Sequence, residues 1–253
     1  MSCDLRQGSS DERAAPPAGD GSAVVSIVYF SSYRGATAEL AAAVATGAAR
    51  VPGVAVSCIS TTEVDWHWAR LHASDAIIFG SPTYVGGVAA RFKDFIESCA
   101  GDVWVHRLWL NKLAGGFTVS SGRSGDKLHC LMDLLVFAMQ MGMIWVPVPI
   151  TGGNYSSQGS EADLNRMAGY LGVMAQANID EPAGQAPPAS DLQTAALYGE
   201  HVAWNARRMV LGRALLPGGL QPGPPSVGVP ATLFDSLPEA VSGTRIPGDR
   251  QAE

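Results

Sequence analysis

Five short runs of apolar and β-branched residues recur along the chain, and segments with helical character lie between most of them. The apolar runs cover residues 24–30, 54–60, 76–79, 113–120 and 143–148. Four consecutive apolar residues, as at 76–79, are typical of a parallel strand that is covered on both faces. Helices are predicted at 38–45, 89–99 and 127–140, the last with Asp126 at its N-cap. Alternating strands and helices predict a doubly wound parallel sheet.

Three polar loops follow the first, third and fourth predicted strands, at residues 31–37, 82–87 and 120–125. Ligands of open α/β sheets bind outside the carboxyl ends of the strands, where the strand order reverses. We therefore expect these three loops to meet at one ligand site. The alternative for each loop alone is an ordinary connection or helix cap without a ligand.

The first loop has the layout of a phosphate cradle, because it leads from a strand into a helix whose first N–H groups favour an anion. Hydroxyl groups of Ser31, Ser32 and Thr37 add donors, and Gly35 permits close approach. No Walker lysine follows, and the G-x-G-x-x-G fingerprint is missing. A phosphate monoester therefore fits better than a nucleoside triphosphate or a dinucleotide.

Composition divides the 253 residues into three parts. The apolar runs and helical segments fall within 23–215, which we predict to be one folded domain. Residues 1–22 are polar and rich in Gly, Ser and Pro, and residues 216–253 are rich in Pro and Gly without a lasting period. Both ends are predicted to be disordered extensions.

Charge and cysteine spacing exclude several partners. The formal charge of −6 and the absence of a Lys/Arg cluster argue against nucleic acid or an anionic membrane. No apolar run approaches the roughly 20 residues of a membrane span. The four cysteines are widely spaced, and His67 and His72 are five residues apart, which is not a metal-ligand spacing. We expect no metal site, and reduced thiols in a cytoplasmic protein.

Several motifs resemble one family. Residues 32–37 (SYRGAT) resemble the flavodoxin phosphate loop S-x-T-G-N-T, with Arg34 and Ala36 at two altered positions, and 81–86 (SPTYVG) resemble the P-T-R-F-G loop of WrbA-type NAD(P)H:quinone oxidoreductases. Residues 125–128 (GDKL) and 138–143 (AMQMGM) resemble a subgroup whose helix reads G-D-K-L and ends in A-M-Q-H-G-M. The similarity continues at 164–176 and 191–203, and it covers residues 24–212. The chain thus resembles the family of flavodoxin-like WrbA-type quinone oxidoreductases and NADPH-dependent FMN reductases.

The resemblance implies a flavodoxin-like, five-stranded parallel sheet of order 2-1-3-4-5 with helices on both faces. It also implies an FMN-dependent oxidoreductase that takes hydride from NADPH or NADH and reduces a small acceptor, a quinone first of all. The flavin N5 carries the chemistry, so no catalytic side chain is expected. Three alternatives stay open: supply of reduced flavin to a monooxygenase, a flavodoxin-like one-electron carrier, and a non-catalytic FMN-binding module.

The resemblance places the FMN phosphate on the first loop and the ring between the other two. The expected cofactor-binding residues are Ser31, Ser32, Arg34, Gly35, Ala36, Thr37, Pro82, Thr83, Tyr84, Val85, Gly86, Ser120, Ser121, Gly122, Arg123 and Gly125. The expected substrate pocket contains Tyr84, Arg123 and Met141, and Met141 stands where the family has His. A homodimer or homotetramer is implied, with residues 149–191 as its expected contact surface.

Overall fold

A computed structural model of the chain describes residues 21–32, 35–182, 184–216 and 218, without the side chain of Trp66. The two predicted disordered extensions, 1–22 and 216–253, lie almost entirely outside the described residues, and so does Arg34 of the first loop. The domain bounds 23–215 therefore stay a prediction.

The described part of the chain contains seven strands. In chain order they are β1 (Ala23–Tyr29), β2 (Val54–Ser60), β3 (Ala76–Tyr84), β4 (Gly87–Val88), β5 (Leu113–Ser120), β6 (Ile144–Trp145) and β7 (Val173–Gln176). The main path through the sheet is β2-β1-β3-β5-β6, and each neighbouring pair on it is parallel. Because β5 and β6 are the fourth and fifth predicted strands, this is the flavodoxin-like order expected from the sequence. The predicted fold class is confirmed.

Helices cover both faces of the sheet. They are α1 (Ala36–Ala48), α2 (Trp68–Ala73), α3 (Ala90–Ser98), α4 (Asp102–Val105), α5 (Lys127–Gln140) and α6 (Ala189–Leu215), and a 3₁₀ turn spans Val64–Trp66. Apolar side chains of α1 and α6 form one core with the sheet, and those of α3 and α5 form a second core. Neighbouring residues of β1 alternate between the two cores, as the strand period of two requires: Ile27 joins the first and Val28 the second.

The fifth strand differs from the prediction of a single run at 143–148. It consists of two pieces, because β6 pairs with the beginning of β5 and β7 pairs with its end. Between them the chain leaves the sheet near Pro147, whose ring removes a ladder donor. It returns after Tyr170, whose carbonyl oxygen accepts the N–H of Val148 at 2.9 Å. The segment 149–191, predicted as a contact surface, therefore includes β7, a strand that pairs with the end of β5.

Close contact between two helix backbones fixes the position of α1. A Cβ atom on Gly47 would lie 1.7 Å from the carbonyl oxygen of Ala196, and one on Gly199 would lie 2.0 Å from that of Val44. Real Cβ atoms are never found so near a carbonyl oxygen, so only glycine permits this approach of α1 to α6. Since α1 begins directly after the loop at 31–35, this contact also places the N-terminus of α1.

The substitution Gly199→Ala is expected to destabilise the protein by about 1–3 kcal/mol, because the added methyl group forces α1 and α6 apart. Urea unfolding followed by circular dichroism measures the change. Gly212→Ala is the matched control on the same helix, since a Cβ atom at Gly212 meets nothing within 4 Å. It should raise the free energy of unfolding by up to about 1 kcal/mol through helix propensity. Equal effects of the two substitutions would contradict the close contact.

Candidate functional site

A cavity of about 320 Å³ opens at the carboxyl ends of β1, β3 and β5. Residues of all three predicted loops line it, so the structure brings these loops together. A fourth segment, which follows β7, completes the wall. The lining residues are Ser32, Ala36, Thr37, Pro82, Tyr84, Val119, Ser120, Ser121, Ala177, Asn178, Ile179, Glu181, Pro182 and Ala186.

The first loop forms a tight entry into α1. Gly35 has φ +77°, a left-handed conformation that other residues rarely adopt, and its N–H donates to the carbonyl of Ser32 at 3.0 Å. The hydroxyl of Ser31 accepts the N–H of Ala38 at 3.3 Å. Within the described residues, the N–H groups of Ala36 and Thr37 have no hydrogen-bond partner. These two free donors and the positive end of the helix dipole suit a phosphate group.

The second loop is a hairpin that joins β3 to β4. Tyr84 pairs with Gly87 across the turn, and Val85 and Gly86 have φ of 49° and 86°. Two consecutive positive φ values are typical of a type I′ turn. Val85 is fully exposed and β-branched, which is an unusual residue for this conformation.

Helix α5 holds this hairpin in place. The Nδ1–H of His129 donates to the carbonyl of Gly86 at 2.8 Å, and Asp133 accepts the N–H of Val88 at 3.2 Å. Thr83, expected to bind the cofactor, is buried, and its hydroxyl lies 2.7 Å from that of Thr118. The side chain of Thr83 thus joins β3 to β5 and is absent from the cavity lining.

The third loop lies over a buried lysine. Gly125 has φ +53°, and a Cβ atom there would lie 2.1 Å from the hydroxyl of Ser120. Lys127 is completely buried, and its Nζ donates to the carbonyl oxygens of Gly122 and Arg123. Burial lowers the pKa of Lys127 to about 8, while the carboxylate of Asp191 raises it. The ammonium group is therefore mainly protonated at neutral pH.

Arg123, which we expected to contact the cofactor phosphate or the acceptor, lies beside a carboxylate. Its guanidinium pairs with Glu161 at 2.7 Å, two-thirds of its side chain is exposed, and it is not among the residues that line the cavity. Glu161 also pairs with Arg166, which in turn forms a bidentate ion pair with Asp191, both contacts at 2.8 Å. In the described chain Arg123 belongs to this ion-pair network, and its contact with phosphate or acceptor stays a prediction.

Met141 also lies away from the cavity. It follows the last residue of α5 and is 4% exposed, packed in the core that contains Phe92, Phe95 and Phe137. The next residue, Gly142, accepts the N–H of Asn111 just before β5 begins, which is the opposite edge of the sheet from the cavity. Met141 is therefore not among the described residues that line this cavity, and its place in the substrate pocket stays a prediction.

The fourth wall segment was not predicted. Residues 177–186 follow β7, and without that strand in the prediction nothing placed them at the carboxyl edge of the sheet. Gln176, the last residue of β7, links this segment to the third loop: its side-chain amide donates to the carbonyl of Ser121 at 3.1 Å and to the side-chain oxygen of Asn178 at 3.2 Å. Proline and polar residues between two regular elements were the only signal, and they indicate a loop without locating it.

Comparisons with known proteins identify the family. The family model described as NADPH-dependent FMN reductase matches residues 50–156. Flavodoxin FldP of Pseudomonas aeruginosa is 36% identical over 184 residues, which cover 70% of this chain and 93% of that protein. The chain belongs to the flavodoxin-like family of WrbA-type quinone oxidoreductases and FMN reductases.

The matches to two further relatives extend over almost the whole length of those proteins. The crystal structure of the flavodoxin, WrbA-like protein from Agrobacterium tumefaciens is 34% identical, with a TM-score of 0.57, and the match covers 74% of this chain and 99% of that one. NAD(P)H dehydrogenase (quinone) 3 of Rhizobium meliloti is 27% identical over 209 residues, covering 75% and 95% of the two chains. The likeness thus extends over the described domain rather than over one motif.

The strained turn of this family member gives a direct test. Val85→Asn is expected to raise the free energy of unfolding by about 1 kcal/mol, because Asn adopts positive φ far more readily than a β-branched residue. Thermal unfolding of the protein without added flavin measures the gain. Val85→Thr is the matched control, since it adds polarity but keeps the branched Cβ, and it should leave the stability unchanged. A Thr variant as stable as the Asn variant would show that polarity, not backbone strain, is the cause.

Proposed function

We propose that this protein is an FMN-dependent oxidoreductase that takes hydride from NAD(P)H and reduces a small acceptor, a quinone first of all. The observation that carries the proposal is the meeting of the three predicted loops at one cavity, in a chain of the quinone oxidoreductase and FMN reductase family. Relatives named NAD(P)H dehydrogenase (quinone) support the same activity.

The residues of the cavity suit FMN in size and chemistry. Its volume of about 320 Å³ lies within the range of roughly 300–1,000 Å³ that small-molecule sites occupy. The free N–H groups of Ala36 and Thr37, with the hydroxyls of Ser32 and Thr37, would hold the phosphate. The ring would lie between the Tyr84 hairpin and the loop that begins at Ser120. The remaining expected contacts, Ser31, Arg34, Gly35, Pro82, Val85, Gly86, Gly122 and Gly125, stay part of this proposal.

The described lining contains few ionisable groups. Tyr84 and Glu181 are the two ionisable side chains among the described lining residues. Bound FMN would supply the hydride-accepting and hydride-donating chemistry, so the protein needs to bind, orient and shield rather than to transfer protons. The expectation that no side chain is catalytic stays part of this proposal. The choice between NADPH and NADH, and the identity of the acceptor, stay open.

Two other activities have specific support. The Pseudomonas relative is named a flavodoxin, which favours a one-electron carrier as the second candidate. The matching family model is described as an NADPH-dependent FMN reductase, which favours the supply of reduced flavin. The three activities use the same cofactor site and differ in the electron acceptor: a quinone, a partner of a one-electron carrier, or free flavin.

We also propose an assembly and a location. A homodimer or homotetramer is supported by exposed apolar side chains along one face of α5, namely Leu128, Met132, Val136 and Met139. A cytoplasmic location is supported by the free thiols of Cys58, Cys99 and Cys130. No helix in the described residues is long and apolar enough to cross a membrane.

The phosphate assignment predicts the effect of Thr37→Val, which keeps the side-chain shape and removes the hydroxyl. A hydrogen bond to a charged group contributes about 1.5–3 kcal/mol, so the Kd for FMN should rise roughly ten- to hundredfold. Quenching of FMN fluorescence on titration with apoprotein measures it. Thr46→Val is the matched control on the same helix, because the Thr46 hydroxyl donates to the carbonyl of Ala42. Equal Kd values for the two variants would remove Thr37 from the phosphate site.

The proposed activity is tested by the absorbance spectrum of the FMN-reconstituted protein. Under anaerobic conditions NADPH or NADH should bleach the flavin bands, and a small benzoquinone should restore them with multiple turnover. Bands that stay oxidised with both nucleotides would favour the carrier. Restoration by free FMN but not by the quinone would favour the flavin reductase.

A further inference from the structure

Three consecutive carbonyl groups of the third loop point toward buried or half-buried side chains. The carbonyl of Ser121 accepts from Gln176 at 3.1 Å. The carbonyl of Gly122 accepts from Lys127 and from the hydroxyl of Ser120, the latter at 3.0 Å. The carbonyl of Arg123 accepts from Lys127 at 2.9 Å. Lys127 therefore provides two of the four contacts that orient the loop.

The peptide geometry determines where the N–H groups of this loop point. In a planar trans peptide the N–H lies opposite the carbonyl of the same unit, so the N–H groups of Gly122, Arg123 and Ser124 face away from Lys127 and Gln176. None of the three forms a hydrogen bond within the described residues, and all three residues are exposed. They follow Ser120 and Ser121, which line the cavity. Such a row of free N–H groups favours a negatively charged or oxygen-bearing ligand.

No carboxylate of the described residues is in direct contact with the ammonium group of Lys127, although Asp191 is near enough to raise its pKa. Within the described part of the chain Lys127 forms no ion pair, and Asp191 is already held by both arms of the Arg166 guanidinium. A buried ammonium group whose hydrogen bonds go only to carbonyl oxygens creates a positive potential at the loop, which the nearby carboxylate of Asp191 reduces in part.

We propose that Lys127 is a positioning residue for the flavin, which orients the free N–H groups of residues 122–124 and favours the reduced, more negative form of bound FMN. The proposal rests on the proposed function, because it concerns the same cofactor site. In the sequence, Lys127 is notable only as the first residue of the predicted helix 127–140 and as part of the GDKL motif at 125–128. Its burial and its two carbonyl contacts give it this further role.

The test uses Lys127→Met, which keeps the length and apolar stem of the side chain and removes the ammonium group. Two measurements are made: hydrogen–deuterium exchange of the peptide that covers residues 121–125 in the apoprotein, and the two-electron midpoint potential of bound FMN. The variant should exchange faster in this peptide. It should lose affinity for reduced FMN at least tenfold more than for oxidised FMN, which corresponds to a fall of about 30 mV in midpoint potential.

Lys112→Met is the matched control. Lys112 also donates to two backbone carbonyls, those of His72 and Ser74, and burial lowers its pKa to about 8 as well. It lies directly before β5, at the edge of the sheet opposite the cavity. Its loss should lower the stability of the protein but leave the exchange of residues 121–125 and the flavin potential as in the wild type.

The outcomes separate this inference from the proposed function. If the wild type binds FMN and the two variants have the same potential, the role of Lys127 is overturned and the proposed function stands. Wild-type protein that binds no FMN overturns the proposed function and, with it, the inference. Lys127→Gln, which keeps an N–H donor without the charge, replaces Lys127→Met if the latter does not fold. An unchanged potential in Lys127→Gln would equally overturn the claim about charge.

Discussion

The buried ion pair of Arg166 and Asp191 holds together the parts of the chain that form one wall of the cavity. The two side chains are 3% and 2% exposed, and they join the chain between β6 and β7 to the beginning of α6. Asp191 also accepts the backbone N–H of Gln176 at 2.9 Å, at the end of β7. Buried charges contribute stability only when their remaining hydrogen-bonding groups are satisfied. Here Glu161 and Gln176 satisfy them, and the loop after β7 starts from a fixed point.

Helix α5 supports two of the three loops that the sequence predicts at the site. Its first residue, Lys127, holds the carbonyls of the third loop from below. Further along the same helix, His129 donates to the carbonyl of Gly86 and Asp133 accepts the N–H of Val88 in the hairpin. Strained backbone persists only where surrounding contacts determine it. Val85, with its positive φ, directly precedes Gly86, one of the two residues that these contacts hold. The hairpin and the third loop therefore keep a fixed relation to each other.

Sequence patterns predicted the elements that have a long apolar run or a regular helical spacing. The bounds of β2, β5 and α5 agree with the predictions at 54–60, 113–120 and 127–140, because long apolar runs and helical spacing leave little choice. β7 was missed because four residues with alternating burial are too few to distinguish from a loop, and its pairing with β5 is decided by contacts distant in sequence. The loop at 177–186 was missed for the same reason.

The site residues fall into two groups: those placed by the end of a strand and those assigned by resemblance alone. Pro82, Tyr84 and Ser120 lie in the last residues of β3 and β5, so the direction of the strands places them at the cavity. Ser32 and Thr37 lie between the end of β1 and the first turn of α1, at the same end of the sheet. Arg123 and Met141 were assigned to the site by resemblance. In the described chain Arg123 pairs with the carboxylate of Glu161, and Met141 packs in a core that contains aromatic residues. A long, exposed side chain is directed by the nearest opposite charge, which sequence spacing does not reveal.

The overall negative charge of the protein does not oppose an anionic cofactor at this site. The formal charge of −6 is spread over the whole chain, and salt screens distant exposed charges within about 10 Å. The groups that face the cavity from the first loop are backbone N–H groups at the start of α1, whose dipole acts at short range. The third loop adds a row of free N–H groups in front of the buried cation of Lys127. Backbone orientation and one buried charge, rather than a cluster of exposed basic side chains, therefore provide the positive potential of the site.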